Sequence, residues 1–318
     1  MRTMKYTAAT TAVSDLLPFR PITLNDIELI APFLHQISSR TCDYTIGGIY
    51  MWIDYFNYRY CIISDTLFLQ GVDEDNMDIT AYSLPIGALP LSESIEMLRR
   101  HCLAAGEQLR FSAIPEDMLH LFVETGPSAV EELHNWSDYL YDASALATLA
   151  GNKLKRKRNH VNRFLADNPN AVFSPMTEAD IHDCKALLTK LSEADRQEDI
   201  SITASVERTQ VFEVLNAWAG TYSRYMTGAC LRDNSGSLVA FTIGEIIGDT
   251  LFVHIEKMDH CVPGAGETIN KMFAEYITSQ HPQVLYINRE EDVGDEGLRA
   301  AKLSYRPIRL LPKFNVIF

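Results

Sequence analysis

Two titratable side chains share one face of a predicted strand near the C-terminal end of the chain. Alternation along residues 251–257 places His254 and Glu256 on the same face of what should be a central strand. Burying two such groups costs free energy unless they are paired or take part in chemistry. Glu256 could accept a proton from an attacking amine or hydroxyl group, and His254 could orient it. A buried network in which they pair with each other or with Lys257 is an equal alternative.

A second polar cluster follows the neighbouring predicted strand, residues 284–288. Ligands of open α/β sheets lie beyond the C-terminal ends of the strands, and carboxylates in this place suit a cationic amino group. A capped turn before Gly294 explains the same residues equally well. Lys302 and Tyr305 follow and could donate hydrogen bonds to a carbonyl oxygen as it gains charge. The predicted substrate-binding residues are Asn288, Arg289, Glu290, Glu291, Asp292 and Lys302, and the predicted catalytic residues are Glu256, His254 and Tyr305.

The third feature is a basic segment at residues 153–163, which has six cationic residues and no carboxylate in a protein of formal net charge -14. Repulsion among these cations would lower helix stability unless an anion offsets it, although a solvated basic helix between two domains is the alternative. Arg158 falls on the apolar stripe of this helix and is expected to face inward. A glycine-bearing turn follows residue 262. Its glycines either let the backbone bind a phosphate group closely or only let the chain turn from strand to helix. The predicted donor- or phosphate-binding residues are Lys153, Lys155, Arg156, Lys157, Arg158, Asn159, Gly264 and Gly266.

Composition limits the class of protein. A chain of 318 residues with 47% hydrophobic content predicts a globular protein of two domains. There is no apolar run of roughly 18 residues and no signal-peptide pattern, so a cytoplasmic protein without a transmembrane segment is expected. The six cysteines are scattered, which predicts neither a metal site nor a disulfide framework. The acidic balance argues against non-specific binding to long duplex nucleic acid.

The two halves of the chain predict the same order of elements: helix, three strands, glycine-bearing turn, helix, strand and helix. The predicted strands are residues 60–64, 66–72, 77–84 and 109–113 in the first half, and 225–232, 238–246, 250–257 and 284–288 in the second. Aromatic residues between positions 50 and 58 are typical of a core or interdomain face. This order indicates an internal duplication. The predicted fold class is α/β (α+β), with an N-terminal domain at residues 1–142, a basic linking helix at 143–170 and a C-terminal domain at 171–318.

Four segments carry a resemblance to a known family. They are residues 136–142 (Trp-Ser-Asp-Tyr-Leu-Tyr-Asp), 149–160, 254–257 (His-Ile-Glu-Lys) and 288–299. They resemble the family of proteins related to the C-terminal domain of phosphatidylglycerol lysyltransferases. The duplicated order resembles tandem domains of the GCN5-related N-acetyltransferase (GNAT) superfamily. The resemblance implies two GNAT-like domains, each a mixed, mostly antiparallel sheet flanked by helices. It also implies transfer of an aminoacyl group from aminoacyl-tRNA to a lipid or, in the similar Fem-type enzymes, to a peptidoglycan precursor.

Three functions follow as hypotheses. The first is an acyl-type transferase that moves an aminoacyl group from aminoacyl-tRNA to an amine or hydroxyl acceptor of the lipid or cell-wall precursor class. The second is a coenzyme A-dependent N-acyltransferase, although Cys261 stands where a coenzyme A signature has Gln or Arg. The third is a non-catalytic ligand-binding protein on a GNAT-like scaffold. No covalently bound cofactor is predicted. The expected partners are tRNA or another phosphate-rich donor, or acyl-CoA, and a small-molecule or lipid head-group acceptor.

Overall fold

The chain builds one β-sheet, crosses to a second, and returns to the first with its last strand. The computed structural model describes residues 16–195 and 202–318. Within these residues the strands of the first sheet are β1 (Arg20–Pro21), β2 (Arg59–Ile63), β3 (Thr66–Val72), β4 (Thr80–Tyr82), β5 (Ile86–Gly87), β6 (Arg110–Pro115), β7 (Ala129–Glu132) and β15 (Lys313–Ile317). They follow the order β1-β2-β3-β4-β6-β15-β7, with β5 beside β3.

The second sheet is built from the strands between these two passages. They are β8 (Asp138–Asp142), β9 (Val172–Pro175), β10 (Met226–Arg232), β11 (Leu238–Ile247), β12 (Thr250–Met258), β13 (Tyr286–Asn288) and β14 (Arg309–Leu311). Their order is β14-β8-β13-β12-β11-β10-β9. Among the described pairs, β4 with β6 and β12 with β13 are parallel, and the others are antiparallel. The predicted mixed, mostly antiparallel sheets are therefore confirmed.

The sheets exchange strands across the domain boundary predicted at residue 142. β8 precedes that boundary in the chain, yet it lies in the second sheet between β13 and β14. β15 comes from the end of the chain, yet it lies in the first sheet between β6 and β7. Each of these strands has a hydrogen-bonded neighbour on both sides. The backbone N–H and C=O groups along both edges of the strand are therefore paired. Residues near β8 and β15 are thereby brought to the contact between the sheets.

Helices lie around both sheets. In the described residues they are α1 (Ile27–Leu34), α2 (Ile46–Tyr50), α3 (Leu91–Ala105), α4 (Ala143–Thr148), α5 (Lys155–Asp167), α6 (Ile181–Asp195), α7 (Ile202–Asn216), α8 (Ala265–Gln280) and α9 (Glu296–Leu303). The basic segment is helical, as predicted, and α5 buries Val161 and Phe164. Glu116–Phe122, which follows β6, forms a 3-10 helix. An apolar core that includes Phe68 and Phe111 of the first sheet and Phe241 of the second packs the two sheets together.

Two neighbouring strands of the second sheet separate part of the way along their length. The parallel pairing of β12 with β13 ends where Phe252 lies beside Asn288, whereas β12 continues to Met258. The residues that follow Asn288 therefore run beside the second half of β12 without pairing to it. This divergence brings the predicted cluster at residues 288–292 next to His254 and Glu256.

Candidate functional site

A cavity lies where the loop after β13 meets the first sheet. One wall is aromatic and comes from the segment that begins with α2 and from Trp136. The opposite wall is acidic. The space inside the cavity that a water-sized sphere can reach is about 30 Å³, and the cavity is lined by Cys42, Asp43, Gly48, Trp52, Tyr55, Phe56, Tyr58, Glu74, Trp136, Glu290, Glu291 and Val293.

The aromatic wall is a set of rings in mutual contact. The Phe56 ring meets the Tyr55 ring edge to face with centroids 4.9 Å apart, and it meets the Trp136 ring with centroids 6.1 Å apart. The Trp136 indole donates a hydrogen bond of 2.9 Å to Asp75 Oδ1, which fixes the ring against the turn after β3. Faces of such rings carry partial negative charge and attract cations.

Lys313 of β15 lies under the acidic wall, with its side chain only 1% exposed. Its Nζ is 2.9 Å from Asp43 Oδ1, 2.8 Å from Asp138 Oδ1 and 3.4 Å from Glu291 Oε2. Cys42 and the carboxylates of Asp43 and Asp138 are close enough together to hold a metal ion. The ammonium group of Lys313 lies among these same groups, so the cluster already contains a cation.

Burial and this ammonium group set the ionisation of the cluster. Burial raises the pKa of Asp138 to about 7. Burial also opposes ionisation of Glu291, but the positive charges of Lys313 and Lys302 lower the pKa of this carboxyl to about 2. The pKa of the Cys42 thiol is raised well above its ordinary value, first by burial and then by the nearby carboxylates. Cys42 is accordingly a poor nucleophile.

Among the described residues, the cavity is lined by the carboxyl groups of Asp43, Glu74, Glu290 and Glu291 and by no Lys, Arg or His side chain. Glu74 accepts a hydrogen bond from the Ser112 hydroxyl, and burial raises the pKa of Glu74 to about 8. Asp43 Oδ2 is buried and has no hydrogen-bond partner among the described atoms. The carboxyl groups of the connected network are Asp43, Glu74, Asp138, Glu245, Glu290 and Glu291, and its cations are Lys313, Lys302 and His254. A cationic ligand group would balance this excess.

His254 is buried between two carboxylates. Its Nδ1 is 2.7 Å from Glu290 Oε1, and its Nε2 is 3.4 Å from Glu245 Oε2. Burial opposes the charged ring, but the contacts with Glu245 and Glu290 outweigh it and raise the pKa of His254 to about 9. The imidazolium is therefore the charge partner of both carboxylates at neutral pH. Its side chain has no exposed area and does not line the cavity.

Glu256 lies on the other side of the loop after β13, outside the cavity. Its Oε1 accepts a hydrogen bond of 2.9 Å from Arg289, and its Oε2 accepts one of 3.0 Å from Asn270. The Tyr305 ring lies between the Arg289 guanidinium at 4.8 Å and the Lys157 ammonium at 4.1 Å. Burial raises the pKa of the Tyr305 hydroxyl. Catalytic roles for Glu256 and Tyr305 stay predictions, and a general-base role would require Arg289 and Asn270 to release the Glu256 oxygens.

The predicted substrate-binding cluster divides into two groups. Glu290 and Glu291 reach the cavity wall. The others stabilise the surrounding loops: Asn288 donates to Asp138 Oδ2, Arg289 pairs with Glu256, Asp292 pairs with Arg299, and Lys302 donates to the Glu291 carbonyl oxygen.

The basic helix α5 presents only part of its charge to solvent. Lys153, Lys155, Arg156 and Asn159 are exposed, and among the described residues none of these three cations has a carboxylate within 4.0 Å. Lys157 pairs with Glu267 at 3.3 Å. Arg158 is half-buried, as its place on the apolar stripe predicts, but its partners are the carbonyl oxygens of Leu149 and Gly151 rather than a charge.

The glycine-bearing turn packs against α5. Gly264 has φ +84°, and a Cβ atom there would lie 2.6 Å from the His160 carbonyl oxygen. A Cβ atom on Gly266 would lie 2.8 Å from Met258 Cε. Gly264 is required by its positive φ and its contact with backbone, whereas the Met258 methyl group next to Gly266 is the end of a flexible side chain that can move. Glu267 places a carboxylate in the first turn of α8. Phosphate binding by this turn stays a prediction.

Solved structures with the same fold belong to acyltransferases and related proteins. A conserved protein of unknown function from Bacteroides thetaiotaomicron is 32% identical, with a TM-score of 0.83 over 95% of this chain and 100% of that one. The C-terminal domain of a putative lysylphosphatidylglycerol synthetase from Agrobacterium fabrum has 14% identity and a TM-score of 0.64, over 92% and 91% of the two chains. L-PGS from Bacillus licheniformis has 15% identity and a TM-score of 0.61, over 91% of each chain.

The architecture is that of tandem GNAT-like acyltransferases, and family and fold together point to the class of lysyl-phosphatidylglycerol synthases and Fem-like aminoacyltransferases. The family model described as "Phosphatidylglycerol lysyltransferase, C-terminal" matches residues 34–317, so the chain belongs to that family. An uncharacterised protein of Mycoplasmoides gallisepticum is 24% identical over 190 residues, which span 59% of this chain and 58% of that curated relative. Within the described residues, the helices are too short or too polar to cross a bilayer.

Proposed function

We propose that this protein transfers an aminoacyl group with a cationic side chain from aminoacyl-tRNA to an amine or hydroxyl acceptor. The observation that carries the proposal is the cavity, whose lining combines the aromatic wall with the carboxyl groups of Asp43, Glu74, Glu290 and Glu291. Aromatic rings beside carboxylates are a common protein environment for ammonium and guanidinium groups. The lysyltransferase family supports the same choice of substrate.

The chemistry is an exchange of acyl bonds. The nitrogen or oxygen of the acceptor attacks the carbonyl carbon of the aminoacyl ester, and the ester bond to the tRNA ribose breaks. The proton lost by the nucleophile ends on the ribose oxygen, so no redox partner is needed. The cavity would hold the cationic side chain of the aminoacyl group and so orient its carbonyl toward the acceptor.

Asp43→Asn should reduce transfer of a lysyl group but leave an alanyl group almost unaffected. The amide keeps the shape and an acceptor oxygen but loses the charge, so we expect about a tenfold loss, equivalent to about 1.4 kcal/mol. Transfer of radiolabelled Lys, Arg and Ala from charged tRNA to phosphatidylglycerol vesicles, and to a soluble amine, would measure this. Equal rates for alanyl and lysyl donors in the parent protein would overturn the proposal.

The donor side of the proposal rests on the exposed cations in the first turn of α5 and just before it. Replacement of Lys153, Lys155 and Arg156 together by Gln should weaken tRNA binding. It should also reduce the slope of the logarithm of the binding constant against the logarithm of the salt concentration by about two, because each phosphate contact contributes about 0.7 to 0.9 to that slope. The thermal midpoint should stay the same, since these side chains are exposed. Calorimetry at two salt concentrations would measure binding.

The matched control is Arg100→Gln, which removes an exposed cation from α3 in the first half of the chain. It should leave tRNA binding and its salt slope unchanged. Titration with coenzyme A separates the alternatives: binding of coenzyme A without tRNA supports an N-acyltransferase, and binding of neither supports a non-catalytic protein.

A further inference from the structure

The aromatic wall of the cavity is attached to the second sheet through one buried carboxylate. Glu245 lies on β11 and is 1% exposed. Its Oε1 accepts a hydrogen bond of 3.1 Å from the amide of Ile46, and its Oε2 accepts one of 3.0 Å from the amide of Gly47. These amides are free at the start of α2, and a carboxylate satisfies them well. Glu245 therefore fixes the beginning of the segment that carries Trp52 and Tyr55.

The same carboxylate is linked to the acidic wall through His254. The imidazole lies 3.4 Å from Glu245 Oε2 on one side and 2.7 Å from Glu290 Oε1 on the other, and Glu290 lines the cavity. The ring is also in close contact with α2, because a Cβ atom on Gly47 would lie 2.3 Å from His254 Cδ2. A chain of contacts thus runs from one wall of the cavity to the other without passing through it.

We propose that Glu245 and His254 are positioning residues, which set the distance between the aromatic and acidic walls and thereby the affinity of the cavity for a cation. Neither side chain lines the cavity. The titratable groups around this pair are Glu290, which contacts His254, and His35, whose Nε2 is 4.0 Å from Glu245 Oε1. Only the ligand of this proposal, a cationic group, is taken from the proposed function. The coupling of the two walls is a property of the protein alone.

Gly47→Ala tests this coupling. The added methyl group has to displace the His254 ring or α2, so we expect the affinity for Nα-acetyl-lysine amide to fall by about tenfold, equivalent to about 1.4 kcal/mol. Acrylamide quenching of Trp52, measured in a Trp136→Phe and Trp218→Phe background, should increase as the wall moves. Gly220→Ala is the matched control, because a Cβ atom there meets nothing within 4 Å.

A double-mutant cycle separates positioning from a general loss of stability. His254→Ala makes room for the methyl group, so the combined Gly47→Ala and His254→Ala protein should show less than the sum of the two single effects on Trp52 quenching. Strictly additive effects, or unchanged quenching in a folded Gly47→Ala protein, would overturn the proposal. If the parent protein does not bind the lysine amide, the proposed function fails, whereas the quenching cycle still decides whether the walls are coupled.

Discussion

Replacement of Lys313 by Met should lower the free energy of unfolding by about 3 to 5 kcal/mol, because it leaves buried carboxylates without their cation. The Lys313 ammonium contacts Asp43, Asp138 and Glu291, and its side chain is almost fully buried. Urea unfolding followed by circular dichroism would measure the change. The loss should be larger at pH 8 than at pH 6, since the pKa of Asp138 is raised to about 7 and this carboxyl can take up a proton at the lower pH.

Two further variants show whether the loss of stability comes from the buried cluster itself. Lys155→Met removes an exposed lysine of α5 and should change the free energy of unfolding by no more than about 0.5 kcal/mol. Adding Asp138→Asn to Lys313→Met should recover part of the loss, because a neutral amide replaces one of the carboxylates left without a cation. A loss below about 1 kcal/mol for Lys313→Met at pH 8 would mean that the cluster is solvated and not buried.

The sequence predicts the long elements of this fold but not the exchange of strands between the sheets. Alternation over residues 66–72 and 250–257 is local information, and both strands were found where it placed them. β8 and β15 have five residues each, and nothing within them specifies which sheet they join. Their partners are determined by contacts with β6, β7, β13 and β14, which are distant in the sequence.

The sequence predicts the part of the candidate site that comes from the second half of the chain. Two adjacent strands and the residues after them indicate that His254 and Glu290 meet, because parallel strands end at the same edge of a sheet. The other part comes from the first half of the chain: Asp43, Glu74 and the aromatic wall lie far from these residues in sequence. The sequence of β15 gives no signal for the cluster around Lys313, because the alternation places Lys313 and Asn315 on the face opposite Phe314 and Val316, which predicts that the polar pair is exposed. The structure buries both polar residues, since charged and polar partners from distant parts of the chain meet them.

The affinity of the cavity for Nα-acetyl-lysine amide should rise with pH and level off near pH 8. Burial raises the pKa of Glu74 to about 8, so this carboxyl is mostly protonated in the free protein at neutral pH. A bound ammonium group favours the ionised form, and binding therefore releases a proton. Below pH 8 each released proton increases the affinity by up to about tenfold per pH unit. The ligand stays charged throughout, because an ordinary lysine pKa is about 10.4.

The raised pKa of Glu74 also makes the stability of the free protein depend on pH. A carboxyl group whose pKa is higher in the folded than in the unfolded state binds more protons when folded, so its contribution to stability falls as pH rises from about 4.5, the ordinary value, to about 8. Glu74→Gln abolishes this contribution because the amide does not titrate. It should also remove about one proton from the pH dependence of ligand binding.

Calorimetry in two buffers of different ionisation enthalpy would count the protons released on binding. The neutral analogue Nα-acetyl-norleucine amide is the matched ligand control, because it fills the same space without a charge and should bind weakly and release no proton. Equal proton release by the parent and Glu74→Gln proteins would assign the proton to another carboxyl group, such as Asp138, whose pKa burial raises to about 7. Affinity that is independent of pH between 6 and 8 would mean that the ammonium group does not enter the acidic side of the cavity.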